Sequence, residues 1–323
     1  MSYLRTVVLV TGPDGFLGTP LCEALVRAGA TVRALTLEGP RATWLDRSWS
    51  SGEVERFVGD IRNSESVRAA AAGVDVVFHL AAISQVPWSL SDPRLAVEVN
   101  VNGTLNVLEA ARSADAKVVL ASSSQVYGKA RYVPIDLDHP LEARNPYAAT
   151  KIAQEALVQA WVRSYGLRAT VLRTFFTYGP RQSLQNIVPH VIRQLLASER
   201  VEIGNLYPER DFVFVDDMVD AYVLAGLCEA ADGQVLNLAG SELVSIRGLI
   251  DRVAAITGQS PVIVQDPSRM RPPGSEIDSV CGDSRSATEV MAWGPRVAID
   301  PGLRATVAWF RQNLHHFEHG STP

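Results

Sequence analysis

Short apolar runs rich in β-branched residues alternate with amphipathic stretches along the first half of the chain. Residues 6–10 and 31–36 have the composition of buried strands, and residues 19–28 between them have the spacing of a helix. Further strand-like runs occur at residues 74–82 and 117–121. Strands that alternate with helices are typical of a parallel sheet covered on both faces. The pattern therefore predicts an α/β fold.

A glycine-rich turn joins the first predicted strand to the first predicted helix. Its glycines are Gly12, Gly15 and Gly18, and Phe16 and Leu17 lie between the last two. The first glycine permits a tight turn, the second lets backbone N–H groups approach a pyrophosphate, and the third lets the helix pack closely on the strand. The helix N-terminus then faces the anion. This context predicts a dinucleotide site on a Rossmann-type doubly wound parallel sheet.

The end of the second predicted strand leaves the choice between NAD and NADP open. An Asp or Glu that binds the NAD ribose usually stands there, whereas this chain has Thr36. The nearest carboxylate is Glu38, while Arg33 and Arg41 could instead bind a 2′-phosphate. We therefore expect NAD, with NADP as the alternative.

A tyrosine and a lysine four residues apart, Tyr147 and Lys151, share one face of a predicted helix. Asn145 suits the N-cap and Pro146 the first helical position, so the helix is expected to begin immediately before the tyrosine. A nearby ammonium favours the phenolate and would lower the phenol pKa from its ordinary value of about 10. The pair is therefore a candidate general base. The alternative is a Tyr and a Lys on the surface of an ordinary helix.

Motifs along nearly the whole chain resemble the extended short-chain dehydrogenase/reductase family, in particular its nucleotide-sugar epimerases and dehydratases. These motifs are the glycine-rich turn, residues 79–82, residues 122–128, the Tyr147 and Lys151 pair, residues 178–182, residues 210–212 and residues 282–285. Within the family, residues 179–183 and 205–212 resemble NAD-dependent 4,6-dehydratases of nucleotide-activated amino sugars. The resemblance implies a Rossmann domain over residues 1–172, to which later segments return. It implies a smaller mixed α/β substrate-binding domain mainly over residues 173–323.

The resemblance also assigns roles to individual positions. Tyr147 is expected to be the catalytic acid and base, Lys151 to hold the nicotinamide ribose, and Ser123 to bind the reacting sugar oxygen. Further cofactor contacts, besides the glycine-rich turn, are expected from Asp60, Ile61, Leu80, Ala81, Ala82 and Asn100. Substrate contacts are expected from Ser84, Ser124, Gln125, Asn186, Arg210 and Arg271. Arginine suits a diphosphate because its planar fork binds two oxygens at once.

Two positions depart from the family pattern. Dehydratases of the family have an acid, usually Glu, at the position of Gln125, and an amide cannot take a proton from C5 of a sugar. Family members usually have Asn at the position of Phe176, where the amide contacts the substrate diphosphate. We therefore expect an NAD-dependent nucleotide-sugar 4-epimerase that acts through a transient 4-keto sugar. The alternatives are a 4,6-dehydratase, a 4-ketoreductase that uses NADPH, and a non-catalytic dinucleotide-binding protein on the same fold.

The composition changes this interpretation little. With 323 residues, 47% apolar and 20% charged, the chain is an ordinary globular protein. A net charge of −5 disfavours a nucleic-acid or anionic-membrane partner, and no run approaches the roughly 20 apolar residues of a membrane span. Cys22, Cys228 and Cys281 are widely spaced and in no metal-binding pattern, which indicates a reducing cytoplasm and no metal site. The family resemblance suggests a homodimer.

Overall fold

The structure is a computed structural model that describes residues 2–38, 52–240, 242–266 and 279–318. Arg41 and Arg271 lie outside these ranges. Helices and strands are numbered here in chain order.

The strands are β1 (Val7–Thr11), β2 (Thr31–Thr36), β3 (Val54–Val58), β4 (Val76–His79), β5 (Lys117–Ser123), β6 (Ala169–Thr174), β7 (Phe176–Tyr178), β8 (Arg200–Ile203), β9 (Glu209–Phe214), β10 (Val235–Leu238), β11 (Leu243–Ser245), β12 (Val262–Gln265) and β13 (Ser279–Val280). The helices are α1 (Gly18–Arg27), α2 (Ser64–Ala71), α3 (Val86–Ser91), α4 (Pro93–Val97), α5 (Gly103–Ala114), α6 (Pro146–Tyr165), α7 (Ile187–Ala197), α8 (Val215–Leu227), α9 (Ile246–Thr257), α10 (Arg285–Met291), α11 (Ile299–Asn313) and α12 (His315–Glu318).

The main sheet has seven strands in the order β10-β6-β5-β4-β1-β2-β3. All its pairings are parallel, and strand β1 sets Leu9 opposite Arg33 on one side and Val77 on the other. Helices α2, α5 and α6 pack on one face of the main sheet through one apolar cluster. Helices α1 and α8 pack on the opposite face through another. The predicted doubly wound α/β fold is confirmed.

The carboxyl ends of the parallel strands meet at one edge of the main sheet. Strand order reverses between β1 and β4, because the chain first builds outward through β2 and β3 and then returns to the other side of β1. In open α/β sheets, ligands bind at such a switch point. The glycine-rich turn after β1 and the serines after β5 both lie at this edge.

A smaller assembly follows β6. Its mixed sheet has the order β11-β9-β13, with β7 also paired to β9, and β8 pairs separately with β12. Between these elements the chain returns to the main sheet, where Val235 of β10 pairs with Val171 of β6. The boundary at residue 172 stays a prediction. Among the described residues, no helix is long and apolar enough to cross a membrane.

Candidate active site

The glycine-rich turn after β1 is shaped by the close approach of three backbone segments. Gly12 has a φ of +71°, and a Cβ there would lie 2.8 Å from the Ala81 amide nitrogen. A Cβ on Gly18 would lie 2.1 Å from the Gly12 carbonyl oxygen, so helix α1 could not begin this close to β1 with any other residue. Both positions therefore require glycine for steric reasons.

The middle glycine faces open space. Gly15 is exposed, and a Cβ there would meet only the Gly12 carbonyl oxygen, at 3.4 Å. Helix α1 begins beside it without a side-chain cap and without an acidic residue in its first turn. Phe16 and Leu17 are half-buried and pack against the core, which holds the turn in place. The uncapped amides and the open side of Gly15 fit the pyrophosphate of a dinucleotide.

The other expected cofactor positions lie around the same edge. Leu80, Ala81 and Ala82 follow β4, and the Ala81 amide donates to Thr11 Oγ1 at 3.2 Å. After β3, the Asp60 carboxylate binds Arg62, and this ion pair holds the pKa of Asp60 below its ordinary value. Ile61 is buried and sits directly over the start of α5, where a Cβ on Gly103 would clash with it.

Asn100 is fully buried and joins the segment after β4 to helix α6. It lies in a π-helical turn, Glu98–Asn102, and its Oδ1 accepts from the Ile83 amide at 2.7 Å. Its Nδ2 donates to Thr150 Oγ1 at 2.8 Å, and Thr150 Oγ1 donates to the Tyr147 carbonyl at 2.8 Å. Asn100 therefore fixes the position of the first turn of α6 relative to the segment after β4.

Helix α6 begins where the sequence predicts it to begin. Pro146 is its first residue, and Asn145 Oδ1 accepts a hydrogen bond from the Ala148 amide at 2.8 Å. The Tyr147 amide donates to Ser89 Oγ of α3 at 3.2 Å. These contacts place Tyr147 at the helix end that faces the sheet edge, with 8% of its surface exposed.

The electrostatics of Tyr147 and Lys151 differ from the expectation. Burial raises the pKa of Tyr147 to about 12, although the neighbouring Ser123 side chain lowers it in part. Burial also lowers the pKa of Lys151 to about 8, against the effect of Glu155. Lys151 Nζ donates to the Ala121 carbonyl at 2.7 Å and lies 5.8 Å from the Tyr147 ring centre. The expected lowering of the Tyr147 pKa is therefore not found, because desolvation is the larger effect.

A buried ion pair behind Lys151 was missed by the sequence analysis. Glu155 accepts from Arg173 Nη2 at 2.6 Å and also from the Ser122 hydroxyl. Arg173 Nη1 in turn donates to Tyr127 Oη at 2.8 Å. Glu155 lies four residues after Lys151 and therefore on the same helix face, a local signal that could have identified Glu155 but not its partner Arg173.

The serine segment after β5 lies close to the start of helix α6. Ser123 ends β5, and its Oγ accepts from the Gln125 amide at 3.2 Å. The Gln125 side-chain oxygen accepts from Asn145 Nδ2 at 3.4 Å, so the residue that caps α6 also orients Gln125. The structure thus brings Ser123, Gln125 and Tyr147 together between the end of β5 and the start of α6.

A cavity of about 880 Å³ opens beside these residues, a size suited to a small-molecule ligand. Ser123, Ser124 and Gln125 line it, and so do Asn186 and Arg210. No Asp or Glu is found among the described residues that line it. His190 and Arg193 of α7 also line the cavity, and the sequence analysis did not identify them.

The expected substrate residues divide into those at this cavity and those elsewhere. Arg210 is 7% exposed, and its guanidinium carbon lies 5.0 Å from the ring centre of Phe176, on the strand paired with its own. Asn186 precedes α7 and is exposed. Ser84 is exposed in the loop after β4 and is not part of the described cavity lining. Arg271 lies outside the described residues.

One of the two arginines considered for a 2′-phosphate is bound to neighbouring elements. Arg33 Nε donates to Glu55 Oε2 at 3.1 Å, and its Nη1 donates to the Ala72 carbonyl at 2.6 Å. Its side chain is therefore held by β3 and the end of α2, and its contact with a 2′-phosphate stays a prediction. Arg41 lies outside the described residues.

Comparison with known proteins identifies the family of the chain. The sequence model of the NAD dependent epimerase/dehydratase family matches residues 8–239. The chain belongs to this family. A UDP-glucose 4-epimerase of Mycolicibacterium smegmatis is 35% identical over 94% of this chain and 98% of its own length. A dTDP-glucose 4,6-dehydratase of Mycobacterium tuberculosis is 30% identical, over 95% and 93%.

Solved structures extend the similarity to the fold and the cofactor. A UDP-glucose 4-epimerase of Thermus thermophilus, in complex with NAD, superimposes with a TM-score of 0.82 at 29% identity, over 95% of this chain and 99% of that one. The chain is therefore an enzyme of the NAD dependent epimerase/dehydratase type. NAD is its cofactor, as expected.

Proposed function

We propose that the protein is an NAD-dependent nucleotide-sugar 4-epimerase. The observation that carries this proposal is the wall of the cavity next to Tyr147, which consists of Ser123, Ser124 and Gln125 and has no carboxylate among its described residues. Elimination of water from a 4-keto sugar needs a base for the C5 proton. Oxidation and reduction at C4 need only one acid and base, which Tyr147 supplies.

Cofactor binding uses the edge around β1 and β4. NAD bound there would supply reversible hydride transfer at C4 of the sugar. The amides of the turn after Gly12 bind the pyrophosphate, and Lys151 binds the nicotinamide ribose. The small side chains of Ala81 and Ala82 let the cofactor lie against the backbone. Asp60 and Ile61 flank the adenine, and Asn100 keeps these segments in register with α6.

Tyr147 accepts the proton of the sugar 4-hydroxyl and later donates it back. Ser123 orients the same oxygen through a hydrogen bond. With its pKa raised to about 12, the phenol can act as a base only if positive charge is held close to it. Lys151 supplies that charge, since a lysine with a pKa of about 8 is mostly protonated at pH 7. Epimerisation follows when the 4-keto sugar rotates in the cavity, so that the hydride returns to the opposite face of C4.

The substrate is a nucleoside diphosphate sugar. Arg210 and Asn186 line the cavity and bind the diphosphate. Arg271 is a further ligand of the diphosphate. Phe176 replaces the usual Asn contact and instead packs against the Arg210 guanidinium, which holds this cation at the cavity wall. Ser84, Ser124 and Gln125 are the proposed contacts to the sugar. Relatives that act on UDP-glucose and dTDP-glucose support this substrate class.

The test is to incubate the full chain with UDP- and dTDP-hexoses in deuterium oxide and to follow products by NMR. A 4-epimerase forms the C4 epimer without solvent deuterium on carbon. A 4-keto-6-deoxy product with deuterium at C5 would overturn the proposal in favour of a dehydratase. Net consumption of added NADPH would instead indicate a ketoreductase. Gln125→Glu is the matched variant, because it supplies the missing base and should introduce exchange at C5.

A homodimer in the cytoplasm completes the proposal. Trp88, Leu90 and Val97 on α3 and α4 are between 46% and 60% exposed, and these short helices pack beside the catalytic helix α6. Exposed apolar side chains of this size favour an interface. Light scattering at micromolar concentration should give twice the chain mass. The three cysteines are unpaired, which suits a reducing compartment, and cell fractionation tests the location.

A further inference from the structure

A carboxylate from the glycine-rich turn reaches the end of β2. Thr36 is the last residue of β2, at the place where dinucleotide-binding proteins usually have an acidic residue for the adenosine ribose. The Thr36 hydroxyl donates a hydrogen bond to Asp14 Oδ2. Asp14 stands between Gly12 and Gly15, so it belongs to the turn that meets the cofactor. The negative charge missing from β2 is therefore supplied from the turn.

The Asp14 carboxylate lacks a full set of partners. Asp14 is 9% exposed and Thr36 is 5% exposed. Asp14 Oδ1 is shielded from solvent and has no hydrogen-bond donor within the described part of the chain. An unpartnered buried carboxylate oxygen is unfavourable, and a hydroxyl donated by a ligand would stabilise it.

Among the charged groups that the structure describes near the strand, none besides Asp14 takes this role. Arg33 is held by Glu55 and the Ala72 carbonyl, as described above. Glu38 lies two residues beyond the strand and is exposed. Across the described ranges, no cation forms a salt bridge with Asp14. A second negative group brought to this point would meet an uncompensated carboxylate in a partly desolvated place, where repulsion is strong.

We propose that Asp14 selects NAD over NADP by accepting a hydrogen bond from the adenosine ribose and repelling a 2′-phosphate. Thr36 acts through it as a positioning residue, because its hydroxyl fixes the Asp14 carboxylate. In this chain, the carboxylate that binds the ribose therefore lies in the glycine-rich turn and not at the end of β2. The proposal rests on the proposed binding of NAD at this turn but not on the sugar chemistry, so a wrong 4-epimerase assignment would leave it intact.

The test is calorimetric titration of the full chain, freed of bound nucleotide, with NAD⁺ and NADP⁺. Asp14→Asn keeps the shape and removes the charge. It should weaken NAD⁺ binding about tenfold and tighten NADP⁺ binding by a similar factor, the effect expected of one hydrogen bond or repulsion at a charged group. Glu38→Gln is the matched control and should change neither dissociation constant. Thr36→Val should shift both constants in the same directions as Asp14→Asn, but less.

A double variant separates recognition from folding. Asp14→Ala with Thr36→Asp returns the carboxylate to the strand and should restore the preference for NAD⁺ that Asp14→Ala alone loses. Equal weakening of both nucleotides in Asp14→Asn would mean a structural role and overturn the proposal. So would dissociation constants that stay within twofold of wild type, or a switch caused by Glu38→Gln. Binding of neither nucleotide by the wild-type chain would overturn the cofactor site itself.

Discussion

At the scale of single residues, the face of α6 that carries Tyr147 is a line of coupled groups. Lys151 and Glu155 follow at intervals of four residues and lie on the same face, each 3–4% exposed. Arg173 neutralises Glu155, so the ion pair leaves the lysine as the net cation next to the phenol. The chain thus keeps one buried positive charge behind Tyr147, the proposed catalytic residue.

Tyr147→Phe should abolish turnover while cofactor binding stays nearly unchanged. The substitution removes the proton acceptor and little volume, and general acid and base groups contribute about 10² to 10⁴ in rate. The measurement is steady-state epimerisation together with NAD⁺ titration. Tyr132→Phe is the matched control, since Tyr132 is an exposed tyrosine whose hydroxyl donates to Asp136. Wild-type turnover in Tyr147→Phe would refute the assignment.

Lys151 should give the folded protein a measurable pH dependence. Burial lowers its pKa to about 8 from the ordinary 10.5, so between these values the unfolded chain binds a proton that the folded chain has released. The contribution of Lys151 to the free energy of unfolding therefore rises as pH increases from about 8 to 10.5. This contribution is lost as pH falls through about 8. Melting temperatures of wild type and Lys151→Met, recorded across this range without cofactor, should diverge in favour of wild type as pH rises.

The control for that series is Lys129→Met, which changes an exposed lysine. Its melting temperature should run parallel to wild type at every pH. A constant difference between wild type and Lys151→Met would mean that the lysine titrates normally in the folded protein.

At the scale of elements, the sequence predicts what depends on near neighbours. β2 spans residues 31–36, as its apolar run predicts, and α6 begins at Pro146 because Asn145 and Pro146 are local signals. β4 is shorter than the predicted run 74–82, since only residues 76–79 pair with both neighbouring strands. Contacts across the fold have no such local signal, and neither the Thr36 bond to Asp14 nor the Arg173 bond to Glu155 could be predicted.

The cap of α6 should matter for both stability and chemistry. Asn145→Ala leaves the Ala148 amide without its partner and releases Gln125, so the free energy of unfolding should fall by about 1 kcal/mol and turnover should also fall. Asn145→Ser should recover most of the stability. Ser245→Ala removes the corresponding cap of α9 and should cost similar stability with no loss of turnover. Equal effects of both variants on turnover would contradict a positioning role for Asn145.

At the scale of the whole molecule, one apolar core joins the two predicted domains. It contains Val8 and Val10 of the main sheet together with Met218 of α8, Leu249 of α9 and Phe310 of α11. Tyr3 near the N-terminus donates to the Val223 carbonyl at 2.8 Å. The cofactor edge is therefore supported by segments more than 200 residues away in sequence.

A fragment of residues 1–172 should not fold alone. It would lose α8, which covers one face of the main sheet, and β10, the partner of β6, so a large apolar face and an unpaired strand edge would be exposed. The full chain should unfold in urea in one transition, with far-ultraviolet circular dichroism and tryptophan fluorescence coinciding. The fragment should show no cooperative transition. Cooperative unfolding of the fragment, or two separate transitions in the full chain, would mean that the domains are independent and that the shared core contributes little to stability.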